Sequence, residues 1–386
     1  MDDQKTGVVG TSFAMAAVWF ATHCGVGFAT GNQEVNYFVK YGWYSIFFTV
    51  ISMAILAWSY RNALVIAKDY KAHDYRSFAD ALYHPYERYF SLVFEIGCIL
   101  LTLVAVSTAI AGAGSLLQST LGIPYGIGIA SMGGILIVLT IFGAELIIRV
   151  LRYKTYFLIA VLSLLCYLGL QSAPNLTHIF ATQTTFDTSI WSALWSMLIY
   201  IGFQALAVVP IISTSHKIKT TRECNLFGLF GLFLNGGFLA IVSIMLLGYA
   251  PEILKESLPV YYVTTQLGLP WLKIVYSVLL FVALIGTAVS VTFSIVARFE
   301  NIQMLKHMIV NLRVRRATIS AVTMIVCTGV SVLGLTTLVV KGYGALGYVG
   351  LFFVVIPELT IGTMKIRKNA ALRKQQGIDE MALRNN

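Results

Sequence analysis

The chain has 386 residues, 58% of them hydrophobic and only 11% charged, with a formal net charge of +10. Soluble domains carry roughly 25% charged residues, so a soluble enzyme or soluble binding module is excluded. The basic excess falls in short clusters between apolar runs, the pattern of membrane topology rather than of a nucleic-acid patch.

The N-terminal MDDQKTG is short and acidic, and the long apolar run behind it has no small-residue cleavage site, so no signal peptide is expected. A helix crosses the hydrocarbon with about 20 mostly apolar residues. Ten such segments are expected: 8–39 (interrupted), 43–67, 86–118, 124–143, 147–170, 189–213 (interrupted), 224–249, 271–297, 317–337 and 343–363. All should be helices, because helices and closed barrels alone satisfy the backbone in lipid, and the runs are too uniformly apolar for barrel strands. The expected fold class is therefore all-α and polytopic, one transmembrane domain over 1–386 with a tail at 364–386. With ten spans both termini lie on one side. Placing them in the cytoplasm of a multi-pass plasma-membrane protein puts all but Lys40, Lys255, Lys273 and Lys341 of the 27 Lys and Arg on or near the inner face.

The first span reads WFATHCGVGFATG over residues 19–31, with His23 and Cys24 set against Gly25 and Gly27. Span 6 reads DTSIWSALWSMLIYIGFQAL from Asp187. At an offset of 177, Thr11, Ser12 and Gly25 match Thr188, Ser189 and Gly202. Each span opens a set of five (8–170 and 189–363), and sets of odd number insert with opposite orientation. The expectation is an inverted repeat whose two discontinuous helices meet at a midplane site. A break exposes N–H groups on one half-helix and C=O groups on the other, which attract anions and cations respectively. Glycines also serve plain helix packing. GAG at 112–114 and the GG pairs at 133–134 and 236–237 are read that way.

Ionisable residues at membrane depth are functional candidates. Glu95 in SLVFEIGCIL is one, either as a proton carrier or as the structural partner of Arg61, which lies at similar depth in span 2. His23 is the second, because its unperturbed pKa lies near the physiological range. Glu34 is expected near the outer mouth, where a solvated role competes with coupling. The five cysteines are scattered and give neither a disulfide framework nor a metal spacing. No nucleophile–His–acid set, phosphate loop or HExxH occurs, so an enzyme is not expected.

GVGFATGNQEVNYFVKYGW resembles the first-helix motif of the YkvI-like membrane proteins, G-A-G-F-A-S/T-G-Q-E followed by an aromatic-rich stretch. That group lies in the amino acid–polyamine–organocation superfamily, and the resemblance implies the LeuT fold. Asn32 stands here as an extra residue, and His23-Cys24 departs from the pattern. The fold implies that the amides of Val26, Gly27 and Phe28 face a substrate's anionic group. It implies a sodium site built from carbonyls around Ala21 and Cys24, the carbonyl of Ala283 and the hydroxyl of Thr287. Gly286 removes one of the family's paired hydroxyls, with Ser290 as a substitute. Phe28 replaces the asparagine of a second sodium site, which should be absent. In span 6 the break is expected in YIGFQA, with Tyr200, Gly202, Phe203 and Gln204 lining the pocket and Phe203 as a gate. His23, Cys24 and Gly25 complete the substrate set.

The implied function is secondary transport of a small organic solute, an amino acid or related amine, coupled to sodium or protons. No cofactor, resident metal or nucleic-acid partner is expected, and lipid is the solvent. Two other classes stay open: a nutrient-sensing receptor of the same fold, and a divalent or soft metal-ion transporter using His23 and Cys24.

Overall fold

The computed structural model describes residues 7–376 apart from positions 24, 143 and 188, and the side chains of 141–156 are not described. All regular structure among these residues is helical. The first apolar run is three pieces, α1 (Val8–His23), α2 (Val26–Thr30) and α3 (Asn32–Tyr37). Then follow α4 (Ser45–Asp69), the short α5 (Tyr75–Tyr83), α6 (Glu87–Leu121), α7 (Tyr125–Phe142), α8 (Ala144–Gln171) and α9 (Leu176–Ala181). The second half has α10 (Ile190–Ala205), α11 (Val209–Ser213), α12 (Thr221–Gly231), α13 (Gly237–Leu247), α14 (Pro259–Gln266) and α15 (Pro270–Phe299). It ends with α16 (Gln303–Met308), α17 (Leu312–Ser331), α18 (Leu335–Thr337), α19 (Gly344–Gly350) and α20 (Thr363–Gln375).

Among the described residues six stretches are long and apolar enough to span a membrane: Ser45–Asp69, Glu87–Leu121, Ile190–Ser213, Thr221–Leu247, Pro270–Phe299 and Leu335–Gln375. Shorter apolar helices include Val8–His23. Large apolar side chains such as Phe47, Trp58, Ile274, Val278 and Ile325 point outward. Such a surface is a liability in water but is ordinary against lipid. The protein is a multi-pass membrane protein.

Inside, α1 packs on α12, α6 on α7 and α15, and α10 on α19. The last crossing is a backbone contact: a Cβ on Gly202 would collide with the carbonyl of Gly347, and one on Gly350 with the carbonyl of Gly202. Gly112, Gly114 and Gly133 are close-packed as expected, whereas Gly134 and Gly237 face open space. α12 and α13 are joined by a π-turn over Leu232–Gly236, and further π-turns fall at Leu338–Tyr343, Leu351–Val355 and Glu358–Gly362. Such turns recur at functional sites.

Candidate functional site

The first break lies where the glycines are. α1 ends at His23, the Gly25 amide donates to the His23 carbonyl at 2.7 Å, and Gly25 adopts φ −82°, ψ −157°, outside the helical region. A second break follows at Gly31, whose φ of +79° is left-handed and suits glycine. The insertion is used there. Asn32 is fully buried, and its Nδ2 donates to the Ser257 carbonyl (2.9 Å) and the Thr336 hydroxyl (3.0 Å). Gly27 allows the side chain of Gln33 to lie directly on the backbone of α2, in the volume a Cβ would need.

The sixth helix behaves differently. Residues 200–205 stay helical in α10, and the distortion is a 3-10 turn at Leu206–Val208. The expected opening in YIGFQA is therefore corrected to a tightening just after it. Pro210 is the cause: it has no N–H for the Leu206 carbonyl and its ring crowds that turn. The Cys98 thiol lies 3.8 Å from the Leu206 carbonyl, and the Tyr60 hydroxyl donates to the Gln204 carbonyl.

His23 ties the two helices together. Asn235, on the π-turn, donates its Nδ2 to the Gly231 carbonyl at 2.9 Å, so its Oδ1 accepts from His23 Nδ1 at 2.9 Å. In the neutral ring Nε2 then accepts from the Tyr200 hydroxyl at 2.7 Å, and Gln204 Nε2 donates to the same oxygen at 3.3 Å. Both ring nitrogens of His23 are engaged. Asn235 was not singled out from sequence, although a lone Asn before two glycines in an apolar run was the available signal. Cys24 lies outside the described residues. The other four cysteines are buried and free.

Beside the break is a cavity of about 240 Å³. Thr22, His23, Gly25, Val26, Gly27 and Gln33 line one wall, and Phe203, Gln204, Leu206 and Ala207 another. α6 contributes Glu95, Cys98 and Thr102, and α15 contributes Thr287, Val291, Ser294, Ile295 and Arg298. Of the residues expected at the site, Phe28, Tyr200 and Gly202 are not in this lining. Phe28 stacks on Phe238 with centroids 5.4 Å apart, Tyr200 supports His23, and Gly202 belongs to the α10–α19 crossing.

A cluster of rings packs around Phe203 on the cavity wall. Phe203 sits 5.3 Å from Tyr37, 5.1 Å from Tyr200 and 4.9 Å from Tyr343, centroid to centroid. The Tyr37 hydroxyl donates to the Val339 carbonyl at 2.8 Å, and Ser196 Oγ to the Tyr37 carbonyl at 2.9 Å. Elsewhere on the wall Glu95 pairs with Arg298, whose guanidinium stands 5.3 Å over the Tyr75 ring. The Glu95–Arg61 pairing is thereby corrected. Arg61 donates to Asn225 Oδ1 (2.8 Å) and Asn62 Oδ1 (2.9 Å) on the α12 side of α4. Equal depth in two helices says nothing about which faces meet.

Of the residues expected to ligate sodium, Cys24 lies outside the described residues, and of the others Thr287 is on the cavity wall. Thr287 Oγ1 donates to the Ala283 carbonyl of its own helix at 3.0 Å. Ala21 and Ser290 are exposed and lie off the cavity wall, whose stripe on α15 runs through Thr287, Val291, Ser294 and Arg298. A hard cation needs several converging oxygens, and of the described members of this set one, Thr287, faces the cavity. Among the described residues no cluster of three or more His, Cys, Asp or Glu is placed to hold a metal.

No protein-family model matches the chain. The membrane protein YkvI of Bacillus subtilis (strain 168), itself uncharacterised, is 22% identical over 359 residues, covering 89% of this chain and 94% of YkvI. MhsT, solved with L-phenylalanine, superposes with TM-score 0.58 at 14% identity, covering 90% of this chain and 87% of its own. A manganese transporter of Eremococcus coleocola gives 0.57 at 16% identity over 91% and 78%. Mhp1 in its inward-facing conformation gives 0.54 at 12% identity over 92% and 91%. This is a membrane protein of the LeuT fold, whose solved relatives are transporters rather than enzymes. Within that class its sequence relative is YkvI, as the GVGFATGNQE motif implied.

Proposed function

We propose that the chain is a secondary transporter that moves a small organic solute, an amino acid or related amine, by alternating access. The observation that carries the reading is the cavity at the helix-1 break, walled by Gly25, Val26 and Gly27 on one side and Phe203 and Gln204 on the other. Amides at the start of α2 have no partner within the helix and suit an anionic group. Gln33 and Gln204 each both donate and accept. Phe203, Leu206 and Val291 suit an apolar side chain.

The reading includes ten spans in two inverted five-helix repeats, 8–170 and 189–363, with residues 364–386 and both termini cytoplasmic. On that orientation the Arg298 end of the cavity faces the cytoplasm, and the Tyr37–Phe203–Tyr343 layer closes the outside, which is an inward-facing state. Coupling to protons is favoured over sodium because the sodium ligand set is dispersed. A solute with a carbon skeleton is favoured over a metal ion because the lining is mostly apolar and both nitrogens of His23 are engaged.

Uptake of labelled amino acids into proteoliposomes, with pH and sodium gradients applied separately, tests the reading. Accumulation driven by either gradient supports it. Saturable binding without accumulation replaces it with a nutrient sensor of the same fold, and uptake of manganese alone with a metal transporter.

A further inference from the structure

Glu34 is fully buried on α3, and neither of its carboxylate oxygens has a hydrogen-bond partner. It lies on the half-helix between the Gly31 hinge and Tyr37, one residue beyond Gln33, which lines the cavity. The titratable side chains close enough to feel its charge are Cys166 of α8 and Tyr276 of α15, and the Tyr276 hydroxyl is already donated to the Ala29 carbonyl at 2.6 Å. α2, α13 and α18, which pack on α3, carry no ionisable side chain. The neighbouring turns bring Lys40, Tyr41, Glu252, Lys255, Lys341 and Tyr343, and α10 brings Tyr200. Lys40 stands over the Tyr41 ring, Glu252, Lys255 and Lys341 are exposed, and none of these pairs with Glu34.

An isolated carboxylate in such surroundings is strongly unfavourable and must be neutralised. A metal cation would need several ligands, and among the described residues no cluster of three or more His, Cys, Asp or Glu is placed to hold one. A proton needs none. Glu95 is held by Arg298 and His23 by Asn235 and Tyr200, while Glu358, with one oxygen accepting from Ser59 and the other without a partner, lies off the cavity wall.

We propose that Glu34 carries the coupling proton, an inference that rests on the transporter reading. The breaks at Gly25 and Gly31 make α2–α3 a separate piece, latched by Asn32 to Ser257 and Thr336. Release of the latch exposes Glu34 to outside water, from which one carboxylate oxygen takes a proton. Closure buries the neutral acid. The proton returns to water when the piece turns Glu34 toward the cavity that Gln33 already reaches.

Two measurements test this. In infrared spectra of the reconstituted full chain at neutral pH, a protonated-carboxyl C=O band free of hydrogen bonding should be present. It should shift in D2O, vanish in Glu34→Gln and persist in Glu358→Gln. Glu34→Asp, which keeps the acid, should move the band, and it serves if the Gln variant does not fold. A band unchanged in both Glu34 variants, or lost only in Glu358→Gln, overturns the proposal. This measurement needs no substrate, so it decides the proton on Glu34 even if amino acid transport fails. In the second, proteoliposomes holding a pH dye are given a mixture of the twenty amino acids. Wild-type protein should acidify the interior at least tenfold faster than Glu34→Gln, while Glu34→Gln still exchanges labelled amino acid. Equal acidification by both proteins, faster than in protein-free liposomes, overturns it.

Discussion

His23 and Tyr200 share a 2.7 Å hydrogen bond across 177 residues of sequence. That separation is the offset that matches Thr11, Ser12 and Gly25 to Thr188, Ser189 and Gly202, so on the proposed inverted repeat the two residues hold equivalent positions. A contact between equivalent positions is what a two-fold relation produces on its axis. Tyr200→Phe should therefore loosen the helix-1 break at His23 from α10. A typical lost hydrogen bond costs about 1 kcal/mol, more when a buried partner is left unsatisfied. Thermal unfolding in detergent should show the loss. A double-mutant cycle with His23→Gln should give a coupling of about 0.5–3 kcal/mol, and strict additivity would show that the bond is not made.

Gly202→Ala places a methyl group in the Gly347 carbonyl. Overpacking of this kind costs about 1–3 kcal/mol, so the variant should have a lower midpoint and poorer yield. Gly134→Ala, where nothing stands within 4 Å, should be neutral or slightly stabilising. Equal behaviour of the two variants would remove the close α10–α19 crossing.

Glu95→Gln and Arg298→Gln should each lower stability by about 1 kcal/mol, because the pair is part-exposed at the cavity wall and solvent screens it. The double variant should recover most of that loss. The pH profile of transport should keep its shape in Glu95→Gln, since the carboxylate is held by Arg298. A flattened profile would return Glu95 to the role of proton carrier.

Thr287→Ala should leave any sodium response unchanged, because Ala21 and Ser290 lie off the cavity wall and do not join Thr287 around a cation. Uptake measured against sodium concentration in wild type and variant decides this. A lost response would mean that the site assembles in another conformation.

Beyond the end of α15, Glu300 pairs with Arg316, and that hydrogen bond and charge hold its carboxyl below the ordinary value of 4.5. The unfolded chain binds this proton more readily, so the stabilisation is present above about pH 4.5 and fades as the pH falls through the depressed value. Arg316→Gln should remove this part of the acid sensitivity, read as a smaller drop in unfolding temperature on acidification. An unaltered drop would show that the pair contributes nothing.

The sequence by itself determined the solvent and the broken first helix. Apolar run length and charge content report lipid directly, and Gly25 acts on the backbone locally, whereas Gly27 stays within α2 and makes room for Gln33. Pro210 was equally legible, and it marks the distortion of the sixth helix more accurately than Gly202 does. The buried state of Glu34 was not legible, because a carboxylate near the end of a span reads as solvated until the helices around it are placed. Only the tertiary structure decided that Arg298 rather than Arg61 meets Glu95, that Gly202 is a crossing point, and that Asn235 and Tyr200 hold His23. Position along the chain sets depth in the membrane. Which side chains face one another depends on rotation about each helix axis, and packing against distant helices sets that rotation.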